Sequence, residues 1–404
     1  MKTILFVHNS NDLYGAEVIL LNLLRGLDRS RYRILVALPE DMQHLNQLSV
    51  CLEEAGIPCL FLPLGVLRRR YCRPRYILRY AFEVLRGTFA LVRLIRSEGV
   101  DLVHTNTLTV FSAVFAARIT GRPHLWHVHE ISTSGLRRLL HWLCTHLSQQ
   151  VVTVSDAVRR NILKDQGWAA NRVRTIRNGI ELEPYLVPRD GTAVRRELGI
   201  PSGALVVGMV GRVSRWKGQP VFVEAARQIL SHRPDLYFVA VGGVFDNEHQ
   251  YMDAFQKLVS SYGLRNFRIC DFRQDIPQVL AAFNLFVLPS TEPDPFPTVI
   301  IEALASGLPV LGANHGGVPE MIEAGIDGML VRPGDAGDLA AAILTLIDDP
   351  MRLIRMGICA RERARRQFQL SDFVKEFEAV YDLIIRDHPE GPIQPVVSAR
   401  PARD

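Results

Sequence analysis

Along nearly the whole chain, short β-rich apolar runs alternate with stretches of helical pattern. In the first half the runs are "TILFVHN", "RILVAL", "DLVHTN", "HLWHVHE" and "VVTVS"; in the second they are "LVVGMVGR", "LYFVAVGG", "FRIC", "LFVLPS" and "PVLGAN". Strands that alternate with helices imply parallel sheets with helices on both faces. At 404 residues the chain is too long for one core. Two Rossmann-like, doubly wound α/β domains are therefore expected, over 1–180 and 204–366. The stretch between them, 181–203, is rich in Pro, Gly and charge and reads as a linker. Beyond the second half, residues 367–387 read as an amphipathic helix with Phe373, Phe377, Val380 and Ile384 on one stripe. The tail 388–404, with its prolines and no period, reads as disordered.

Composition excludes several classes. With 48% apolar and 22% charged residues the chain is neither fibrous nor disordered, and no apolar run reaches the roughly 20 residues needed to span a bilayer. The opening "MKTILFVHNS" lacks a small-residue cleavage site and reads as a buried strand, not a signal peptide. Six scattered cysteines without a C-x-x-C pair argue against zinc ribbons and redox dithiols, and fit a reducing cytoplasm. The net charge of +5 hides an asymmetry: residues 1–180 carry 24 Lys+Arg against 13 Asp+Glu, whereas 181–404 carry 23 against 29. The two halves should meet different partners.

In open parallel sheets ligands bind beyond the C-terminal strand ends, so the residues that follow each strand are the candidates. After the first strand comes Gly15, just ahead of a helix, where backbone N–H groups can face an anion. After the first strand of the second half comes "VGRVSRWKGQP", in which Arg212 and Lys217 place two cations beside a helix N-terminus, as an anion site requires. The strand "LWHVHEI" ends in His127, His129 and Glu130, with both histidines on one face. Further on, "STEPDPFPTVIIEALASG" crowds Glu292, Asp294 and Glu302 around a turn leading into a helix. Asn106, Ser155 and Asn178 sit at other strand ends or loops. The histidine pair has no further ligands at metal spacing, so no metal site is expected.

Taken together, "GAE" after strand one, "RNGI" at 177–180, "GRVSRWKG", "PFPTVIIEALASGLPV" and "GGVPEMI" resemble the retaining glycosyltransferases of family 4, over residues 3 to about 385. The resemblance implies the GT-B fold: two Rossmann-like domains facing across a cleft, with the C-terminal helix returning to the N-terminal domain. It implies transfer of a hexose from a UDP- or GDP-sugar to a hydroxyl of a glycan or lipid-linked acceptor, in cell-envelope or polysaccharide synthesis, with the nucleotide sugar as co-substrate and no cofactor or metal. The family has a Glu, seven residues, then a second Glu. Counting back from Glu302 lands on Asp294, so a shorter carboxylate occupies the first position, and Glu292 is its rival.

By the same resemblance Glu302 grips the donor ribose. Arg212 and Lys217 hold the diphosphate, the backbone at Phe296, Pro297 and Thr298 faces sugar and phosphate, and His129 contacts the donor sugar. Asn106, Glu130 and Asn178 fall at acceptor-facing or cleft-lining positions. A catalytically silent sugar-nucleotide-binding subunit and an epimerase of the same fold are the rival readings.

Residues 68–96 hold nine arginines and one glutamate among Tyr, Leu, Phe and Val, and "GLRRLLHWLCTH" follows. That pattern suits an anionic membrane surface, a solvated helix face or an anionic glycan. Nucleic acid fits poorly, because no recognition helix accompanies the charge. The expectation is a cytoplasmic protein, peripheral on the inner face of the membrane.

Overall fold

The computed structural model describes residues 1–45, 47–68, 71, 74–132, 135–244 and 248–388. Two compact units emerge: Met1–Gly179 together with the stretch from Leu370 onward, and Ile180–Gln369.

The first unit holds a seven-stranded sheet of β1 (Lys2–His8), β2 (Tyr32–Pro39), β3 (Cys59–Leu62), β4 (Leu102–Asn106), β5 (His124–Val128), β6 (Gln150–Thr153) and β7 (Val173–Thr175). Their spatial order is β3-β2-β1-β4-β5-β6-β7, with every pair parallel. The second unit holds six strands, β8 (Val206–Val210), β9 (Tyr237–Val241), β10 (Phe267–Cys270), β11 (Leu285–Leu288), β12 (Val310–Ala313) and β13 (Gly328–Val331). Their order is β10-β9-β8-β11-β12-β13, again all parallel. Helices cover both faces, so the central strands are buried on both sides. That burial is why they read as continuous apolar runs without alternation: β4, β5 and β8 are buried at every position.

Each order reverses once. The chain leaves β1 toward β2 and β3, then returns to lay β4 on the other side of β1; it leaves β8 toward β9 and β10, then returns to lay β11 beside β8. At such a reversal the connecting loops diverge and leave a crevice at the C-terminal strand ends. Register carries chosen residues there: His8 lies opposite Asn106, and Asn106 opposite His127.

The stretch read as a linker, 181–203, is built into the second unit. It carries the short helices Glu183–Leu186 and Thr192–Glu197. Leu182, Val194 and Ile200 are buried, and the Arg195 guanidinium donates to the Ala282 carbonyl at 3.0 Å and to Asn284 at 2.9 Å. Its apolar anchors are spaced too widely to show a period, which is why the stretch reads as irregular. The second unit closes with the helix Pro350–Gln367.

The helix Leu370–Asp387 belongs to the first unit, where it packs on the helix Gly15–Gly26. Phe373, Phe377, Val380 and Ile384 are buried along its inner stripe, with Val374 and Tyr381 beside them. Tyr381 Oη meets His104 Nδ1 at 2.7 Å, and Arg31 pairs with Glu378 at 2.9 Å at the rim. The expected disordered tail, apart from His388, lies outside the described residues.

Phe377 packs against Phe373, His104 and His127 with no exposure. Phe377→Ala should therefore cost about 3–5 kcal/mol, as large-to-small changes in a packed core do. Chemical denaturation measures this, and a loss under about 1 kcal/mol would show that the last helix is no part of the core.

Candidate functional site

At the β8/β11 reversal two loops are sewn together. Thr291 N donates to the Trp216 carbonyl at 2.7 Å, and the Gln219 amide donates to the Arg212 carbonyl at 3.0 Å. Gly218 adopts φ +87°, and a Cβ there would lie 1.9 Å from the Pro289 carbonyl oxygen, so only glycine lets the loop after β8 pass the end of β11. The loop after β12 closes in from the other side. Gly317 N donates to the Asp294 carbonyl at 2.8 Å, and at Gly316, with φ +61°, a Cβ would meet the same carbonyl at 2.2 Å.

This lacing brings Lys217 Nζ to Asp294 Oδ2 at 2.6 Å. The side chains are 14% and 5% exposed, so the pair is nearly dry. The Lys217 ammonium also lies 4.4 Å from the Trp216 ring centroid. Glu292 instead pairs with Arg215 out in solvent. Of the two rival acids, the one inside the site is Asp294. Lys217→Ala alone would strand a buried carboxylate, a change that typically costs about 3–5 kcal/mol, so the lysine cannot be removed without disturbing stability unless Asp294 is neutralised with it.

Behind the pair, Pro297 caps the helix Thr298–Ala305. Pro295 and Pro297 flank Phe296, whose ring is buried edge-on against Phe368 at 5.9 Å, so the backbone at Phe296–Thr298 is held rigidly at the helix N-terminus. Glu302, one turn in, keeps a partly exposed edge but is ringed by protein. Burial pushes its carboxyl up to about 7 against the hydrogen bonds from Thr298 and Tyr185. Tyr185 comes from the stretch read as a linker, and burial and Glu302 raise its phenol in turn.

In the first unit the β1/β4 reversal gathers a row of buried polar groups. Glu17 Oε1 meets His8 Nε2 at 2.9 Å, and His8 Nδ1 meets Asn106 Nδ2 at 3.1 Å. Asn106 Oδ1 meets His129 Nε2 at 2.9 Å, and that nitrogen lies 3.2 Å from His127 Nδ1. Burial holds His129 down at about 3, so its imidazole is neutral. Glu130 accepts from the amides of Leu108 and His129, yet burial outweighs them and raises its carboxyl to about 7. Between these groups Thr107 sits at φ +87°, a left-handed backbone costly for a β-branched residue. Its carbonyl accepts from Trp126 Nε1 at 2.6 Å and its amide donates to the His127 carbonyl, which hold the turn in place.

Known protein families match both halves of the chain. The family described as Glycosyltransferase Family 4 matches residues 14–184, and Glycosyl transferases group 1 matches residues 190–363. The chain belongs to the family 4 glycosyltransferases. Its fold is GT-B: the structure of Anabaena HepE in complex with UDP-glucose covers 95% of this chain and 100% of its own, at 27% identity and a TM-score of 0.80. The UDP-Gal:alpha-D-GlcNAc-diphosphoundecaprenol alpha-1,3-galactosyltransferase of Escherichia coli is 26% identical over 92% of this chain and 96% of its own. The D-inositol 3-phosphate glycosyltransferase of Corynebacterium kroppenstedtii is 34% identical over 48% of this chain, which spans only 44% of that protein.

Within this family 4 chain, the structure brings together Arg212, Lys217, Asp294, Phe296, Pro297, Thr298 and Glu302 at the ends of β8 and β11. It brings His129, Asn106 and Glu130 together at the ends of β4 and β5. Gly15 opens the helix Gly15–Gly26 with open space where a Cβ would stand, so no protein atom demands its small size. Asn106 is fully buried and reaches His129, not solvent. Ser155 caps the helix Asp156–Leu163 by accepting from Val158 N at 3.2 Å, a local structural duty. Asn178, buried past β7, lies at the far edge of the sheet from this row. Sequence reasoning passed over His8, Glu17 and Tyr185. Glu17 stands in the quoted "GAE", three residues after the helix cap, and its Oε2 accepts from Tyr14 N at 3.2 Å, the capping-box spacing that could have marked it.

The raised Glu302 carboxyl makes a test by pH. Its folded pKa of about 7 lies above the ordinary 4.5, so the stability it contributes is complete below pH 4.5 and is lost as pH rises through 7. Glu302→Gln removes that titration and should be more stable than the parent at pH 8, by on the order of 1–3 kcal/mol, with the advantage gone at pH 4.5. Denaturation curves at both pH values decide it; a difference independent of pH would place Glu302 in water.

Proposed function

We propose that the protein is a retaining, metal-independent hexosyltransferase that moves a hexose from a uridine diphosphate sugar to a hydroxyl of a glycan or lipid-linked acceptor. The observation that carries this reading is the laced site at the ends of β8 and β11. There, Lys217 pairs with Asp294, Arg212 stands on the same loop as Lys217, and Glu302 lies one turn into the helix that starts at Thr298, the group types that a diphosphate, a sugar and a ribose diol require. Glu302 accepts both cis-diol protons as a carboxylate. Arg212, Lys217 and the amides of Phe296 and Thr298 carry the charge that grows on the diphosphate as the bond from the anomeric carbon to the β-phosphate oxygen breaks, which is the duty a divalent ion would otherwise perform. Donor binding loosens the Lys217–Asp294 pair, freeing the ammonium for phosphate and the carboxylate for sugar hydroxyls.

The acceptor oxygen attacks on the face the diphosphate leaves, and its proton passes to the departing phosphate oxygen. The neutral imidazole of His129 addresses the sugar. The uridine donor is favoured by the UDP-Gal in the name of the E. coli galactosyltransferase and by the UDP-glucose bound to HepE.

Incubating the purified protein with UDP-glucose and UDP-galactose, with a polyprenyl diphosphate sugar as acceptor, tests the assignment through UDP release. Asp294→Asn should lower turnover at least tenfold more than Glu292→Gln does. The reverse order would move the site to the exposed acid, and absence of both transfer and donor hydrolysis would favour a silent binding subunit.

A lipid-linked acceptor agrees with the outer face of the helix Ile77–Ser97. Leu78, Phe82, Leu85 and Phe89 fall on one helical stripe and are 85%, 63%, 59% and 68% exposed. Arg79, Arg86 and Arg93 run alongside at seven-residue spacing, all exposed. Arg69, Arg70 and Arg73 of the basic segment lie outside the described residues. Among the described residues no helix is long and apolar enough to cross a membrane. The stripe suits peripheral docking on an anionic leaflet from the cytoplasmic side, with the aromatic rings at headgroup depth and the arginines on phosphates. Flotation with vesicles containing anionic lipid at low salt should carry the protein upward, and Leu78→Asp/Phe82→Asp should leave it in solution. Equal flotation of both forms would remove the stripe from the reading.

A further inference from the structure

The row Glu17, His8, Asn106, His129 is more than a set of satisfied polar groups, because each link fixes the direction of the next. A carboxylate can only accept, so His8 Nε2, 2.9 Å from Glu17 Oε1, is the protonated nitrogen. The other ring nitrogen, Nδ1, faces the Asn106 amide nitrogen at 3.1 Å; an amide NH2 can only donate, so Nδ1 accepts that hydrogen bond. That commits the Asn106 carbonyl oxygen to the far side, where it accepts from His129 Nε2 at 2.9 Å. The same hydrogen also faces His127 Nδ1 at 3.2 Å.

We propose that this chain locks His129 as the tautomer protonated at Nε2, leaving Nδ1 as a fixed hydrogen-bond acceptor for a hydroxyl of the transferred sugar. The sugar contact rests on the glycosyltransferase reading above; the tautomer lock does not. Three observations support the lock. His129 Nδ1 has no hydrogen-bond partner among the described residues, whereas Nε2 has two neighbours. Glu17 is clamped at the first turn of its helix by Tyr14 N, so the origin of the chain cannot swing. Burial acts to raise the Glu17 carboxyl, but the hydrogen bond from His8, with those from the amides of Glu17 and Tyr14, holds it below the ordinary range, so the anchor is an acceptor.

The consequence is a polarity of recognition. A hydroxyl that meets His129 must donate to it, and a sugar that lacks that hydroxyl leaves the acceptor unsatisfied. Glu17, His8 and Asn106 are positioning residues, acting through His129. The opposite direction has one specific form: an Asn106 turned over, accepting from a doubly protonated His8 and donating to His129 Nε2, which would place the His129 proton on Nδ1.

Histidine-labelled full-length protein, read by multiple-bond proton–nitrogen correlation and assigned by the signals lost in His129→Ala, distinguishes the two. We expect His129 protonated at Nε2 alone, with the spectrum unchanged between pH 5.5 and 8. Glu17→Ala should turn that single tautomer into a mixture. It should also raise the KM for the sugar donor about tenfold while leaving the affinity for UDP unchanged, a split that general unfolding would not give. A His129 proton on Nδ1 in the parent protein, or a single Nε2 tautomer that survives Glu17→Ala, overturns the lock. An unaltered KM overturns the sugar contact. Failure of the glycosyltransferase reading would show separately, as absence of UDP release from any donor while the tautomer spectrum stands.

Discussion

Everything at the functional sites follows from one constraint of parallel sheets: a strand order that reverses must leave two adjacent strand ends whose loops run apart. In the first unit those strands are β1 and β4, in the second β8 and β11. The backbone groups at these ends have no ladder partner beyond the last register pair, so side chains and neighbouring loops must supply them. The two units answer differently. The second laces its loops with backbone bonds and fills the space with an ion pair and a helix N-terminus. The first fills it with imidazoles and an amide wired to one carboxylate. One architecture thus yields a site built on an ion pair and one built on imidazoles and an amide.

Both sites are held at some cost to stability. Glu302 and Glu130 have carboxyls raised to about 7 by burial, and Thr107 keeps a backbone that a threonine disfavours. Such groups persist because the surrounding sheets are buried on both faces and over-determine the loops they end in. The chemical return is preorganisation: donors and charges are held at fixed positions in the loops. The near-dry Lys217–Asp294 pair is part of this arrangement, since each partner supplies the contact that water would otherwise give the other.

Much of this was legible in the sequence. The alternation of apolar runs with helical stretches located both sheets, and the resemblance to the family 4 glycosyltransferases assigned Arg212, Lys217, Asp294 and Glu302 to one site. The pairing of Lys217 with Asp294 was not legible, because the partners are 77 residues apart and only the placement of β11 beside β8 joins them. Tyr185 was hidden because its segment has too few apolar residues, too widely spaced, to show a period; its packing is tertiary. His8 and Glu17 were hidden for a different reason. A histidine at the end of a buried strand and a glutamate in a first helical turn each have an ordinary local explanation, and only the register of β1 with β4 turns them into a chain.

The return of the last helix to the first unit gives the polypeptide an order of assembly. The second unit, Ile180–Gln369, is in effect an insertion into the first, and its own core is continuous in sequence. The first unit leaves the ribosome early but without its final cover: Phe377 and Tyr381, which close over His104, follow almost two hundred residues of intervening chain. Until synthesis passes Asp387 the inner face of the helix Gly15–Gly26 lacks its partner. A ribosome that stops short at the end of the second unit would release a chain whose later half is complete and whose earlier half is not.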